Sequence, residues 1–200
     1  MPVVGLDLAG VESRPTGFCI LGNMKAKTSL AYTTEEILAK IKESNPRVVA
    51  IDAPLSLPPG RKSLEDRKGE HLRESDKELL KRGIKFFPVT LGPMRKLTER
   101  GISLKRILET KHFTVIEAYP GGAQDILGIP RKQKGLDNLK EGLEKLGIKG
   151  LNCQMSDHEL DAATCAYVGK LFLEGQAVTY GKPTEGIVMP KGEFNRRKQR

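Results

Sequence analysis

Val3-Val4-Gly5-Leu6-Asp7-Leu8-Ala9-Gly10 is an apolar run of strand length that carries one carboxylate and closes on a glycine. A short continuous apolar run bounded by turn residues reads as a strand buried on both faces, as in a sheet covered by helices. A charge inside such a strand is costly unless it is paired or bound to a metal. Asp7 therefore requires a partner, and the rest of the chain has to supply it.

Working outward, Thr16–Gly22 and Lys27–Tyr32 read as two further strands, and the short glycine- and asparagine-containing breaks between them suggest antiparallel hairpins. Thr33 or Thr34 caps a helix over 35–44, with Glu35 and Glu36 in its first turn and Ile37, Leu38 and Ile41 as its apolar stripe. Asn45-Pro46 ends it. Arg47–Pro54 follows as a second buried strand with a lone carboxylate, Asp52, near its end. This opening places a hairpin sheet beside a parallel pair joined by a crossover helix.

From Pro58 to Lys111 the texture changes to a charged segment with sparse apolar positions, read as a helical insertion over 60–111 with a helix at Ser103–Glu109. Phe113–Pro120 is the third strand to end in a carboxylate, Glu117, and Pro120-Gly121-Gly122 predicts a turn after it. Helices are expected over Leu136–Leu146 and Asp157–Glu174. Ala177–Tyr180 and Gly186–Pro190 read as a closing pair of extended segments. The chain is thus expected to form one domain over 1–190, with 191–200 as a basic disordered tail.

The last helix carries two acids. Asp157 and Asp161 lie one turn apart, about 40° on the wheel, within the arc of Leu160, Thr164, Val168 and Leu171. Asp157 has a local explanation, because Ser156-x-x-Glu159 forms a capping box and an acid suits the first turn. Asp161 lies past that turn, and His158 falls on the exposed side. Parallel strands present their carboxyl ends along one edge, where ligands bind in open α/β sheets. Like charges converging there raise one another's pKa unless a cation neutralises them. Oxygen donors without cysteine or histidine suit a hard ion, Mg²⁺ or Mn²⁺.

The net charge of +9 is concentrated: residues 61–111 hold 15 basic against 8 acidic side chains. Such a segment is either a solvated helical surface or a wall that attracts a polyanion such as nucleic acid, DNA or RNA. Arg61, Lys62, Arg73, Lys77, Arg95 and Lys96 are the side chains expected to guide a strand. Three cysteines without a C-x-x-C pair argue against a zinc site or a disulfide framework. With no apolar run of membrane-spanning length, the reading is a soluble cytoplasmic protein with no membrane partner.

Several ordered motifs resemble an uncharacterised family of predicted ribonuclease H-like nucleases. They are Gly5-Leu6-Asp7-Leu8-Ala9-Gly10, Asp52-Ala53-Pro54-Leu55-Ser56-Leu57-Pro58, and Arg73-Glu74-Ser75-Asp76 followed by Gly83-Ile84. They continue with Ile116-Glu117-Ala118-Tyr119-Pro120-Gly121, Asp157-x-x-x-Asp161-Ala162 and Gly186-Ile187-Val188-Met189-Pro190. The resemblance implies an α/β fold: a ribonuclease H-like mixed five-stranded sheet, three antiparallel strands plus parallel ones, flanked by helices. By position, Asp7, Asp52 and Asp161 match the superfamily's metal-binding acids. Glu117 departs from the simplest pattern and either completes the site or holds a basic side chain; Arg73 and Asp76 belong to the family's own pattern.

The expected function is that of a divalent-metal-dependent hydrolase, a nuclease or phosphodiesterase. Asp7, Asp52, Glu117 and Asp161 are its catalytic acids, and Asp157 joins Asp7, Asp52 and Asp161 in the metal shell. Two alternatives share the fold: an actin- or sugar-kinase-like phosphotransferase or nucleotide-binding protein, and a non-catalytic nucleic-acid-binding protein.

Overall fold

A computed structural model describes residues 2–192; the expected tail therefore lies almost wholly outside the described residues. Seven strands form one sheet: β1 (Val3–Asp7), β2 (Thr16–Gly22), β3 (Lys25–Ala31), β4 (Val49–Asp52), β5 (Val115–Ala118), β6 (Ala177–Tyr180) and β7 (Ile187–Pro190). Their spatial order is β3-β2-β1-β4-β5-β7-β6. β1, β2 and β3 are antiparallel neighbours, β4, β5 and β7 run parallel to β1, and β6 returns antiparallel on β7. The first five strands form the mixed sheet of the ribonuclease H-like fold. The closing pair extends it to seven, because β7 bonds to the free edge of β5 instead of standing apart.

Helices cover both faces. α1 (Thr34–Ser44) is capped by Thr33, whose side chain accepts from Glu36 N while the Glu36 carboxylate accepts from Thr33 N. Its Ile37 and Ile41 pack on Val4, Leu6, Val49 and Ile51. α2 (Glu74–Lys81) and α3 (Gly92–Thr110) follow in the charged segment. α3 begins well before the expected Ser103, with Pro93 in its first turn, where a missing N–H costs no helical bond. Its Leu104 and Leu108 join the same core as α1, so α3 belongs to the main layer over the sheet.

The other face is covered by α4 (Pro120–Leu127), α5 (Leu136–Lys145) and α6 (Asp157–Leu173). The predicted turn at Pro120 is instead the first turn of α4, a position that tolerates proline. α6 is buried around most of its circumference, not along a stripe: Leu160 to Ala166, Val168, Gly169 and Leu171 are all buried. It lies between the sheet and α4 and α5, and small residues on both sides allow this. An added Cβ at Gly5 would stand 2.0 Å from Ala162 O, and one at Gly17 would stand 2.0 Å from His158 O. The helix backbone thus rests directly on β1 and β2. Among the described residues no helix is long and apolar enough to cross a membrane.

Candidate active site

Register decides which strand-end acids meet. Asp7 and Asp52 are direct partners across the parallel β1–β4 pair, so both side chains leave the same face of the sheet. That face is α6's, since Val3 and Ala50 pack there with Leu160, Ala162 and Ala166. Glu117 pairs with Ile51, not Asp52, and therefore leaves the opposite face. Asp161 descends from α6 over Asp7 and Asp52, close enough for the charges of Asp7 and Asp161 to bear on Asp52 and for that of Asp7 to bear on Asp161.

Burial, then the charges of Asp7 and Asp161, push the Asp52 carboxyl well above its usual range. Burial also raises Asp161, against the pull of Lys132. Two of the acids have protein cations. His158 Nδ1 lies 2.6 Å from Asp7 Oδ2, and that bond raises the imidazole pKa. Lys132 Nζ lies 2.9 Å from Asp161 Oδ2 and 3.0 Å from Asp157 Oδ2. Burial would pull Lys132 down, but Asp161, Asp157 and Asp7 together hold it above the ordinary lysine value. The same ammonium lowers Asp157 despite partial burial. Gln124 on α4 donates its amide to Asp161 Oδ1 at 2.8 Å and to Thr164 Oγ1 at 3.1 Å. Asp52 forms no hydrogen bond or ion pair with its side chain among the described residues.

Lys132 and His158 were not selected from the sequence. The helical wheel turns His158 outward because it treats the helix as buried along one stripe only. Lys132 sits on a short 3-10 turn, Lys132–Lys134, where no periodicity marks its direction.

Glu117 belongs to a separate buried network. Arg73 NH1 and NH2 donate to its two oxygens at 2.7 and 2.9 Å, and NH2 also reaches Asp76 Oδ1 at 2.9 Å. Leu55 N donates to Glu117 Oε2 at 2.7 Å, and Arg73 N to Asp76 Oδ2 at 2.9 Å. Burial raises Glu117, while Arg73 opposes the rise. The network ties the start of α2 to the ends of β4 and β5.

The basic side chains divide. Arg73 is only 5% exposed and spent on Glu117 and Asp76. Lys77 pairs with Glu70 and Glu74, and Arg95 pairs with Glu65. Arg61 donates to the carbonyls of Asp66 and Glu70. Lys62 and Lys96 are exposed, and their ammonium groups form no ion pair among the described residues.

This arrangement defines an α/β protein of the ribonuclease H-like kind with a carboxylate cluster at the carboxyl ends of its central strands. The family profile described as "Protein of unknown function (DUF429)" matches residues 5–185, and the chain belongs to that family. Among solved structures, RuvC of Thermus thermophilus in complex with a Holliday junction substrate is similar, at 13% identity and a TM-score of 0.49, over 88% of this chain and 96% of that one. The same organism's RuvC alone gives 14% identity and a TM-score of 0.48, over 88% and 97%. Similarity this low carries no chemistry across. No curated protein matches the chain.

Proposed function

We propose that this protein is a divalent-metal-dependent nuclease or phosphodiesterase acting on nucleic acid. The observation that supports the reading is the convergence of Asp7, Asp52 and Asp161 on one face, with no side-chain hydrogen bond or ion pair on Asp52 among the described residues. The described residues hold no ready-made group of three or more His, Cys, Asp or Glu side chains in metal-binding geometry. The donor set nevertheless fits a hard cation: carboxylate oxygens only, and one carboxylate, Asp52, without a direct ion pair among the described residues.

Asp7, Asp52 and Asp161 would hold Mg²⁺ or Mn²⁺, with Asp157 able to join. When bound, such an ion activates water and offsets the charge of a phosphodiester. Lys132 competes for the same oxygens of Asp161 and Asp157, so it stands in for part of the missing positive charge. Gln124 and Thr164 fix the rotation of the Asp161 carboxylate, and His158 fixes that of Asp7. The exposed ammonium groups of Lys62 and Lys96 supply phosphate contacts for a strand. Glu117 lies outside this cluster and acts on it through its charge, which adds a little to the rise at Asp52, and by anchoring the Leu55 backbone just after Asp52.

The test is incubation with branched, single-stranded and duplex DNA and with RNA–DNA hybrids, in Mn²⁺, Mg²⁺ or EDTA, beside Asp7→Asn and Asp161→Asn. Metal-dependent cleavage lost in both variants is the expected result. Binding without turnover, unchanged in the variants, would instead make the protein a non-catalytic binder. ATP hydrolysis without cleavage would favour the phosphotransferase reading.

A further inference from the structure

On the face away from the acid cluster lies a cleft of about 680 Å³, between the loop Leu55–Arg61, the start of α2, the middle of α3 and the loop around Lys182. Its size lies within the range of small-molecule sites, and Leu57, Pro58 and Ile102 give it an apolar floor. We propose that this cleft binds a phosphate monoester carried on a nucleoside or on the end of a strand. The proposal is independent of the metal reading, because none of the cluster acids lines the cleft.

Two observations carry it. The first is Ser75, in the opening turn of α2, which lines the cleft and is 1% exposed. Its Oγ is buried with no hydrogen-bond partner among the described residues. A buried hydroxyl left unpaired is a standing cost that a bound oxygen would remove. The N-terminus of a helix is also where backbone N–H groups favour an anion.

The second is the state of the surrounding cations. Arg61 donates to the carbonyls of Asp66 and Glu70, and the nearby Asp66 carboxylate offsets only part of its charge, without a direct ion pair among the described residues. Arg106 is exposed and forms no ion pair among the described residues. Lys105 donates to Thr184 O at 3.1 Å, with Glu109 no closer than 3.8 Å. Lys182 faces Glu185 at 3.5 Å, both largely exposed. Glu74, the remaining acid of the lining, is bonded to Lys77. Cations from three segments beside an unsatisfied hydroxyl suit a compact, doubly charged group, and the apolar floor suits the organic part it is attached to.

Calorimetric titrations in EDTA, at low ionic strength, test this without any contribution from a metal. Adenosine 5′-monophosphate should bind saturably, with inorganic phosphate competing and adenosine binding at least about tenfold more weakly, a difference of ~1.4 kcal/mol. Arg106→Ala and Lys182→Ala should each weaken the nucleotide severalfold. Ser75→Ala should weaken it too, while leaving the melting temperature of the free protein unchanged or higher, because an unpaired buried hydroxyl has been removed. A 5′-phosphorylated single strand binding better than its 5′-hydroxyl counterpart, with the difference lost in Arg106→Ala, would identify a strand end as the ligand. A preference confined to the mononucleotide would identify a free nucleotide. Absence of saturable binding, equal binding of adenosine, or affinities unmoved by all three variants would overturn the proposal.

Discussion

Lys132 Nζ stands 2.9 Å from Asp161 Oδ2, so the acid that α6 lowers onto the sheet is already held by a cation of the protein's own. A metal and this ammonium group compete for one carboxylate. Lys132→Met is therefore expected to tighten Mn²⁺ binding. In EDTA the same variant should lose about 1–3 kcal/mol of stability, the cost of leaving a buried acceptor unpaired. Added Mn²⁺ should restore much of it by mass action. Urea unfolding with and without Mn²⁺ measures both effects; a variant equally stable in EDTA would show that the pair does not hold the site together.

The contact between His158 and Asp7 predicts a pH dependence. The imidazole pKa is raised in the folded protein, first by its bond to Asp7, so the folded state binds the proton more tightly than the unfolded chain. That contribution is complete below the unfolded value of about 6.5 and is lost as pH rises through the raised value. Stability of the metal-free protein should fall as pH rises above about 6.5 and through the raised value. His158→Gln should flatten the fall, as read from urea midpoints across the pH range.

Arg73 is buried between Glu117 and Asp76, and truncation leaves two acids without their cation. Arg73→Ala is expected to cost about 3–5 kcal/mol in urea unfolding. Arg73→Lys should fold less stably yet leave the salt dependence of nucleic-acid binding unchanged, since the charge at this position is already paired with Glu117 and Asp76. Lys96→Ala should reduce that salt slope by about one with little effect on stability.

Gly5 lies against α6, where a Cβ would meet Ala162 O at 2.0 Å and Ala166 N at 2.3 Å. Both are backbone atoms, so no rotamer change relieves the clash. Gly5→Ala should cost about 3 kcal/mol, near the top of the range for overpacked sites. Unfolding in urea measures it, and a near-neutral result would mean that α6 sits farther from β1.

Much of the architecture is local and could be read residue by residue. Apolar runs of strand length, the Thr33 and Ser156 caps, and a crossover helix between Asp7's strand and Asp52's strand are short-range features. The end strands were legible as a pair, but their attachment to β5 was not, because edge pairing leaves no mark on the residues that make it. Pro120 shows the same limit at short range: a proline that ends a strand also begins a helix, and only the packing of α4 on α6 selects the second.

By itself the sequence determined that acids stand at the ends of three strands and on one helix. Which of them meet was decided by register and helix placement. Asp7 and Asp52 share a face because their strands pair in step, whereas Glu117 stands one residue out of step and turns to Arg73. Strand side chains alternate faces, so a shift of one residue separates two acids that look equivalent in the chain. His158 and Lys132 became partners of the cluster for the same kind of reason. A helix resting on glycine backbone buries more than one stripe, and a loop side chain is aimed by tertiary packing alone.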